Sequence, residues 1–406
     1  MKANLPLQHK IAFLGAYDRF NYGDLLFPII AGNEMRHRNP GVKISVHALI
    51  ESDLSKYGAL KTQSLRALYA QDALQADDVV VFVGGGVIGV DWTYMLQNLV
   101  GRKANEAIYY AKRLVGGHAA NQLSRFYFGG RSPFPWVAGP EHFPVPVSVA
   151  YNAVGGSELA KLPPFVQKRT LQCLEKAAYL SVRDAETKRL MMPVEGRVAV
   201  ELAPDSAVIM SEQYPLTLLE GLLSSSVRQQ ITGEPYVCFH ANLNYIQRFE
   251  DRIVPMLEAI FRNHGLRALL LPIGRYVGLD DQVGLRSILE KIRTPATMVS
   301  DQASIWDIMA AIARAKLFLG TSLHGNVTSQ SFAVPHLGLS ERPSKLDFYL
   351  QTWDLPEQAH CIRLEDSTAQ VARVLAVPEA ARLEKQVELL ARSHENFAQM
   401  TQACGL

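Results

Sequence analysis

The sequence predicts an α/β protein built from two parallel-sheet domains, and three observations predict it. Short runs rich in Val, Ile and Leu recur along the chain, each followed by a segment of helical character. Between two such alternating halves, residues 211–234 change character, with Pro215, a Leu-rich stretch, Ser224-Ser225-Ser226 and Gly233-Glu234-Pro235. The length, 406 residues, is long for one hydrophobic core and comfortable for two.

In the first half, strands are expected at 10–16, 42–50, 78–83, 146–154 and 179–183, with helices at 25–37, 163–178 and 184–192. The strands are short, β-branched and bounded by Gly or charged residues, and their alternation with helices implies a parallel sheet. In the second half, strands are expected at 236–240, 267–273, 296–300, 316–320, 334–339 and 361–364. Helices are expected there at 247–264, 280–291, 304–314 and 324–333, with a long C-terminal helix at 379–397. The expected domains are 1–215 and 230–406, two Rossmann-like units facing a central cleft, the arrangement of the glycosyltransferase-B type.

A hydrophobic content of 48% and a charged content of 20% fit an ordinary globular protein. A net charge of +2 gives no global nucleic-acid footprint, so no nucleic-acid partner is expected. Cys173, Cys238, Cys361 and Cys404 lie far apart without a Cys-x-x-Cys spacing, which favours reduced thiols over a disulfide frame or zinc site. Residues 1–10 lack the apolar core of a secretory leader, and no apolar run is long enough to span a bilayer. The expectation is a cytoplasmic protein, with peripheral contact at the inner face of the membrane left open.

The most informative segment is Ala315-Lys316-Leu317-Phe318-Leu319-Gly320-Thr321-Ser322-Leu323-His324-Gly325-Asn326. An apolar strand ends in small and polar residues, and a helix then starts. Such turns place N–H groups and the first helical side chains at the carboxyl edge of the sheet, where ligands bind. Five other segments have the same form. The loop Ala16-Tyr17-Asp18-Arg19-Phe20-Asn21-Tyr22-Gly23-Asp24 follows the first strand, and capping alone would account for Asp24. Gly84-Gly85-Gly86 follows the third, where N–H groups can cradle an oxyanion; no Gly-Lys-Ser/Thr follows, so it is not a nucleotide P-loop. Ser181-Val182-Arg183-Asp184 offers an arginine for a two-point contact to phosphate or carboxylate. His240-Ala241-Asn242 and Gly274-Arg275 end two strands of the second half; the Asp280-Asp281 pair that follows is read as helix capping rather than a metal site.

This ordered set resembles the polysaccharide pyruvyl transferase family. The matching features are Asn21-Tyr22-Gly23-Asp24, Gly84–Gly86, Ser181-Val182-Arg183-Asp184, Pro204-Asp205, Leu271-Pro272 with Asp280-Asp281, Ser322-Leu323-His324-Gly325, Pro335 and Lys345. The resemblance spans nearly the whole chain. It implies a glycosyltransferase-B-like fold and transfer of the enolpyruvyl unit of phosphoenolpyruvate onto two hydroxyls of a sugar, with phosphate released. It implies Arg183 as a holder of the donor anion and His324 as the acid-base residue. Active members often carry Arg two residues before this histidine; here Ser322 stands there, and Arg275 or Lys345 is expected to supply the charge. The expected donor site is completed by Leu323, Gly85 and Gly86. Asp24 is expected to orient or deprotonate an acceptor held by Asn21, Asp18, His240 and Asn242. The chemistry asks for a general acid, a base and fixed cations, with no metal or cofactor beyond phosphoenolpyruvate as co-substrate. The acceptor would be a sugar or a lipid-linked oligosaccharide. Two rival readings are a nucleotide-sugar glycosyltransferase and a non-catalytic glycan- or anion-binding protein.

Residues 101–131 resist the α/β scheme. Six basic residues (Arg102, Lys103, Lys112, Arg113, Arg125, Arg131) stand against one acid, Glu106, with Tyr109, Tyr110, Phe126, Tyr127 and Phe128 interleaved, and a Pro-rich stretch follows. Such charges are commonly a solvated face. The functional alternative is contact, through 101–136, with an anionic lipid surface or lipid-linked acceptor.

Overall fold

Runs of β-branched and aromatic residues form two parallel sheets in the computed structural model, which describes residues 10–276 and 279–406 and, at Arg102, the main chain alone. The first sheet contains β1 (Lys10–Leu14), β2 (Lys43–Ala48), β3 (Gln63–Ser64), β4 (Val79–Val83), β5 (Ser148–Val154), β6 (Tyr179–Val182) and β7 (Val200–Leu202). Their spatial order is β3-β2-β1-β4-β5-β6-β7. The second contains β8 (Tyr236–His240), β9 (Arg267–Leu270), β10 (Ala296–Met298), β11 (Leu317–Gly320) and β12 (His336–Gly338), ordered β10-β9-β8-β11-β12. The sequence VVVFV of β4 is buried on both faces, as a central strand of a doubly covered sheet requires.

In each sheet the order reverses once, between β1 and β4 and between β8 and β11. A crevice opens at the carboxyl ends of the strands on either side of such a reversal. The two crevices face each other because the main chain joins them. Asn21 and Gly274 form an antiparallel bridge, the Tyr22 N–H donates to Ile273 O at 3.2 Å, and the Arg275 N–H donates to Phe20 O at 3.1 Å. One core cluster lies between the sheets and mixes residues of both, including Phe13, Leu26, Phe318 and Val327. Two further clusters cover the outer faces.

The C-terminal helix runs Glu379–Ala403, longer than the expected 379–397, and crosses back to the first sheet. There the Tyr179 hydroxyl donates to Asn396 Oδ1 at 2.6 Å, and Phe397 and Met400 are fully buried. The expected strand at 361–364 is a single bridge between Leu339 and Ile362, because the chain turns into a short 3₁₀ helix at Leu364–Asp366. The expected helix at 247–264 starts at Leu243 and is broken at Phe249. Residues 101–131 fold as two helices, Arg102–Val115 and Gly117–Phe128. Of residues 1–10, read above for a leader, only Lys10 is among the described residues.

Candidate active site

The helix that follows β1, Tyr22–Arg38, starts three residues earlier than an Asp24 cap would place it. Asn21 occupies the cap position without capping; its Nδ2 donates to Asp24 Oδ2 at 2.9 Å. Asp24 therefore stands in the first turn, half-buried, with its carboxylate toward the cleft. Pro28 falls in the second turn, where it deprives the Asp24 carbonyl of its regular helical donor. Tyr22 ties this helix to the second half through its hydroxyl, 2.9 Å from Thr328 Oγ1. Gly23 has a steric reason: a Cβ there would lie 1.9 Å from Nδ1 of His324. The imidazole sits on this glycine and meets the edge of Phe27, with ring centroids 5.1 Å apart.

His324 enters from the opposite side, on the buried helix Leu323–Ser331 that follows β11. Ser322 is its N-cap and accepts from the Gly325 N–H at 3.2 Å. The histidine is 8% exposed, and its Nε2 has no hydrogen-bond partner. Asp205 Oδ2 lies 3.8 Å from that nitrogen and accepts from Arg183 Nη1 at 2.9 Å. Arg183 is 1% exposed, and its Nε also lacks a partner. The turn carrying Arg183 is clamped by the second half, because Trp353 Nε1 donates to Arg183 O at 2.7 Å. That tryptophan ends the helix Lys345–Trp353, whose first residue points its ammonium to the same cleft.

Asn21, Asp24, Phe27, Arg183, His324 and Lys345 line a cavity of about 150 Å³, together with Arg19, Tyr17 and Tyr276. Gly84 and Gly85, at φ of +55° and +73°, turn the chain after β4 so that Gly84–Gly86 form one wall. Arg19 is 6% exposed, and none of its three guanidinium nitrogens makes a hydrogen bond. Its Nη2 sits 3.0 Å from Asp18 Oδ1, but out of hydrogen-bond alignment. The cavity shares Gly86, Arg183 and Lys345 with a wider basin of about 670 Å³, which Gly156, Glu158 and Lys161 help to line.

Burial dominates the titration of the cavity. It pulls His324 down to about 4; Arg183 and Lys345 act in the same direction, and Asp205 opposes them. Burial raises the Asp24 carboxyl above its ordinary value, against the pull of Arg19, Lys345 and Arg183. Lys345 touches solvent at the cleft mouth yet is crowded by protein, and this desolvation, with Arg183, lowers its ammonium. Buried, unpartnered N–H groups are costly. In Arg19 and Arg183 they converge on one small space, an arrangement suited to an anion.

The structure thus brings together His324, Asp24, Arg183, Lys345, Gly85, Gly86 and Asn21 from the sequence-based site. It does not bring the others to the cavity wall. Ser322 is used as a cap and Leu323 is core. Arg275 stacks on Phe20, 3.8 Å from the ring centre, and donates to Ala303 O at 2.7 Å, locking the junction between the halves. Asp18 turns inward to the Ile50 N–H at 3.2 Å. His240 pairs with Asp281 at 3.0 Å, and Asn242 caps the helix that starts at Leu243. Asp281 does not cap its own helix; its Oδ2 receives the Gly274 and Ile273 N–H groups and His240. Sequence reasoning missed Arg19 and the role of Asp205. Arg19 lay inside the loop already singled out, and Asp205 inside the Pro204-Asp205 motif, but neither spacing reveals which buried partner each would meet. Among the described residues one group of three metal-ligand types, Glu141, His142 and Cys173, lies within 4.8 Å. It is not part of the cavity wall, and Glu141 there pairs with Lys176 at 2.7 Å.

A family model described as polysaccharide pyruvyl transferase matches residues 21–343, from the Asn21 turn to just before Lys345. The chain belongs to the polysaccharide pyruvyl transferase family. Membership implies a transferase of polysaccharide biosynthesis with a sugar or polysaccharide acceptor. No curated protein matches the chain by sequence. Among solved structures, UDP-GlcNAc 2-epimerase from Neisseria meningitidis is similar, with a TM-score of 0.54 at 10% identity over 97% of this chain and 99% of that one. The Methanocaldococcus jannaschii epimerase gives 0.54 at 11% identity over 91% of each chain. The N-terminal domain of Candida albicans trehalose-6-phosphate phosphatase gives 0.51 at 12% identity, covering 100% of this chain and 98% of that one. At these identities the likeness is one of fold, glycosyltransferase-B-like. No helix among the described residues is long and apolar enough to cross a membrane.

Proposed function

We propose that this family member transfers the enolpyruvyl unit of phosphoenolpyruvate onto two hydroxyls of one sugar, closing a cyclic ketal and releasing phosphate. The acceptor belongs to a surface polysaccharide or its lipid-linked precursor. The observation that carries this reading is the convergence of Arg19, Arg183 and Lys345 on the small cavity that also holds His324 and Asp24. Phosphoenolpyruvate presents a carboxylate and a phosphate a few bonds apart, and the unpartnered guanidinium N–H groups match such a donor.

The steps follow from the residue types. A proton adds to the methylene carbon, and the adjacent carbon becomes oxocarbenium-like. The first sugar hydroxyl attacks that carbon and gives up its proton. The bond to phosphate oxygen then breaks, its electron pair leaving with phosphate. The second hydroxyl attacks the same carbon and gives up its proton. One of the two hydroxyl protons replaces the proton spent on the new methyl group, and the other leaves with phosphate or water. His324 is the acid. Pulled down to about 4 by burial, it needs the charge of the bound donor to raise it, and Asp205 stands 3.8 Å away to support the imidazolium. Asp24, raised by burial, is the acceptor of hydroxyl protons. In this scheme fixed cations neutralise the donor, and no metal or cofactor is invoked. The reading places the enzyme in the cytoplasm, where phosphoenolpyruvate is made.

The test is an acceptor screen with purified protein, read by mass. The expected product gains one pyruvate less one water, with phosphate released only when acceptor is present. Products carrying a new sugar, formed from a nucleotide-sugar and never from phosphoenolpyruvate, would replace this reading with a glycosyltransferase.

A further inference from the structure

The helices Arg102–Val115 and Gly117–Phe128 project apolar side chains into water. In the second helix Ala120, Ser124 and Phe128 face inward at a four-residue spacing, and Phe128 stacks on Trp92. The outward residues should then be polar. They are instead Leu123, Phe126 and Tyr127, with Phe126 84% exposed. On the first helix Tyr110 and Leu114, one turn apart, are exposed, Leu114 to 87%. Patches of this kind on a water-facing surface mark an interaction site. The charge around them is mostly positive: Lys103, Arg113 and Arg125 share these helices, and Glu106 is the single acid between residues 101 and 131. Alternating aromatic and basic residues fit the boundary between lipid headgroups and acyl chains, where rings sit at headgroup depth and cations meet anionic lipid.

The position of the pair matters as well. A groove of about 260 Å³ lies against these helices, lined in part by Phe134, Leu162, Phe165 and Val166. It shares Asp91, Lys112 and Leu162 with the basin that leads to Arg183.

We propose that the helix pair 102–128 is a docking face for an anionic bilayer, and that the connected groove and basin open toward that bilayer. The docking claim needs no assumption about the reaction; only the idea that the acceptor arrives from this side rests on the function proposed above.

The test uses the whole protein and vesicles with neither donor nor acceptor, so its outcome is independent of the transferase reading. Sedimentation is measured with vesicles of phosphatidylglycerol and phosphatidylcholine in equal parts, and with phosphatidylcholine alone. The parent is expected to bind the anionic vesicles at least tenfold more strongly, and the binding is expected to weaken with added salt. A variant carrying Lys103→Gln, Arg113→Gln and Arg125→Gln is expected to lose about fivefold per charge removed. A second variant, Leu114→Ser, Leu123→Ser and Phe126→Ser, is expected to lose binding even at low salt. Equal binding of the parent to both vesicle types, or no binding, overturns the proposal. So does self-association of the parent that the apolar variant abolishes without any vesicle binding, because a second copy would then cover this face.

Discussion

His240 ends β8 and His324 opens the helix that follows the neighbouring strand β11, and the fold uses them in different ways. The His240 Nε2 is committed to Asp281, whose same oxygen also holds the N–H groups of Ile273 and Gly274. That cluster fixes the strap joining the two halves, next to the Asn21–Gly274 bridge. The Nε2 of His324 makes no hydrogen bond, and the nearest carboxylate, Asp205, is spent on Arg183 instead. A histidine at the sheet edge is thus a lock when its carboxylate serves the backbone. Its ring nitrogen is left without a partner when the carboxylate serves a second side chain. Position at the sheet edge is common to both; the partner of the partner separates them.

The largest expected effect breaks that comparison if it fails. His324→Ala should lower transfer by about 10²–10⁴-fold with an unchanged circular dichroism spectrum. His240→Ala should instead destabilise the fold by about 1–3 kcal/mol, because the buried Asp281 carboxylate loses one of its three partners, with far less loss of activity per folded molecule. Denaturant melts beside initial rates on each variant would reveal any reversal of roles.

Gly23→Ala tests the seat of the imidazole without touching a charge. The new methyl group would overlap the His324 ring, so the ring must move or the helix must shift, at a cost of about 1–3 kcal/mol. The expected result is a fall in kcat of roughly tenfold or more with a smaller change in donor KM. A parent-like kcat would mean that His324 is not held where the chemistry needs it.

A smaller effect concerns pH. The folded value of His324, about 4, lies below its ordinary value of 6.5. Between those values the unfolded chain binds a proton that the folded chain does not, so stability falls as pH drops from about 6.5 to about 4, by at most about 1.4 kcal/mol per unit. His324→Gln should flatten this slope in melts taken across that range. An unchanged slope would assign it to other groups, with buried His47, also pulled down to about 4, the first to examine.

Much of this was legible before any coordinates. Ten of the strands, the parallel sheets and the edges facing the cleft follow from apolar runs ending in Gly, Ser, Asn and Asp. The short strands β3 and β7 do not, because Gln63-Ser64 is polar and Val200-Glu201-Leu202 is interrupted by a charge. His324, Arg183 and Asp24 stand out because each sits at or near the start of a helix that opens onto the cleft, whereas Lys345 stands out only through the family resemblance. Arg19 and Asp205 were not assigned because their meaning lies in tertiary pairing: Asp205 is 22 residues from the arginine it holds and 119 from the histidine it faces. Arg275 misled for the same reason. Its turn is at the cleft, but its guanidinium finds Phe20 and Tyr57 before it finds the cavity. The outward aromatics of 102–128 were visible as composition, while the helical face that exposes them was not.

The central claim is that the cavity around Arg183 and His324 is built for phosphoenolpyruvate. A thermal melt with added ligand tests it most directly, and the acceptor need not be known. A ligand bound only by the folded state adds about 2.7 kcal/mol at a hundred times its Kd. Phosphoenolpyruvate should raise the transition by several degrees, uridine and guanosine diphosphates should not, and the shift should largely vanish in Arg183→Ala. A rise with either nucleoside diphosphate and none with phosphoenolpyruvate would contradict the account.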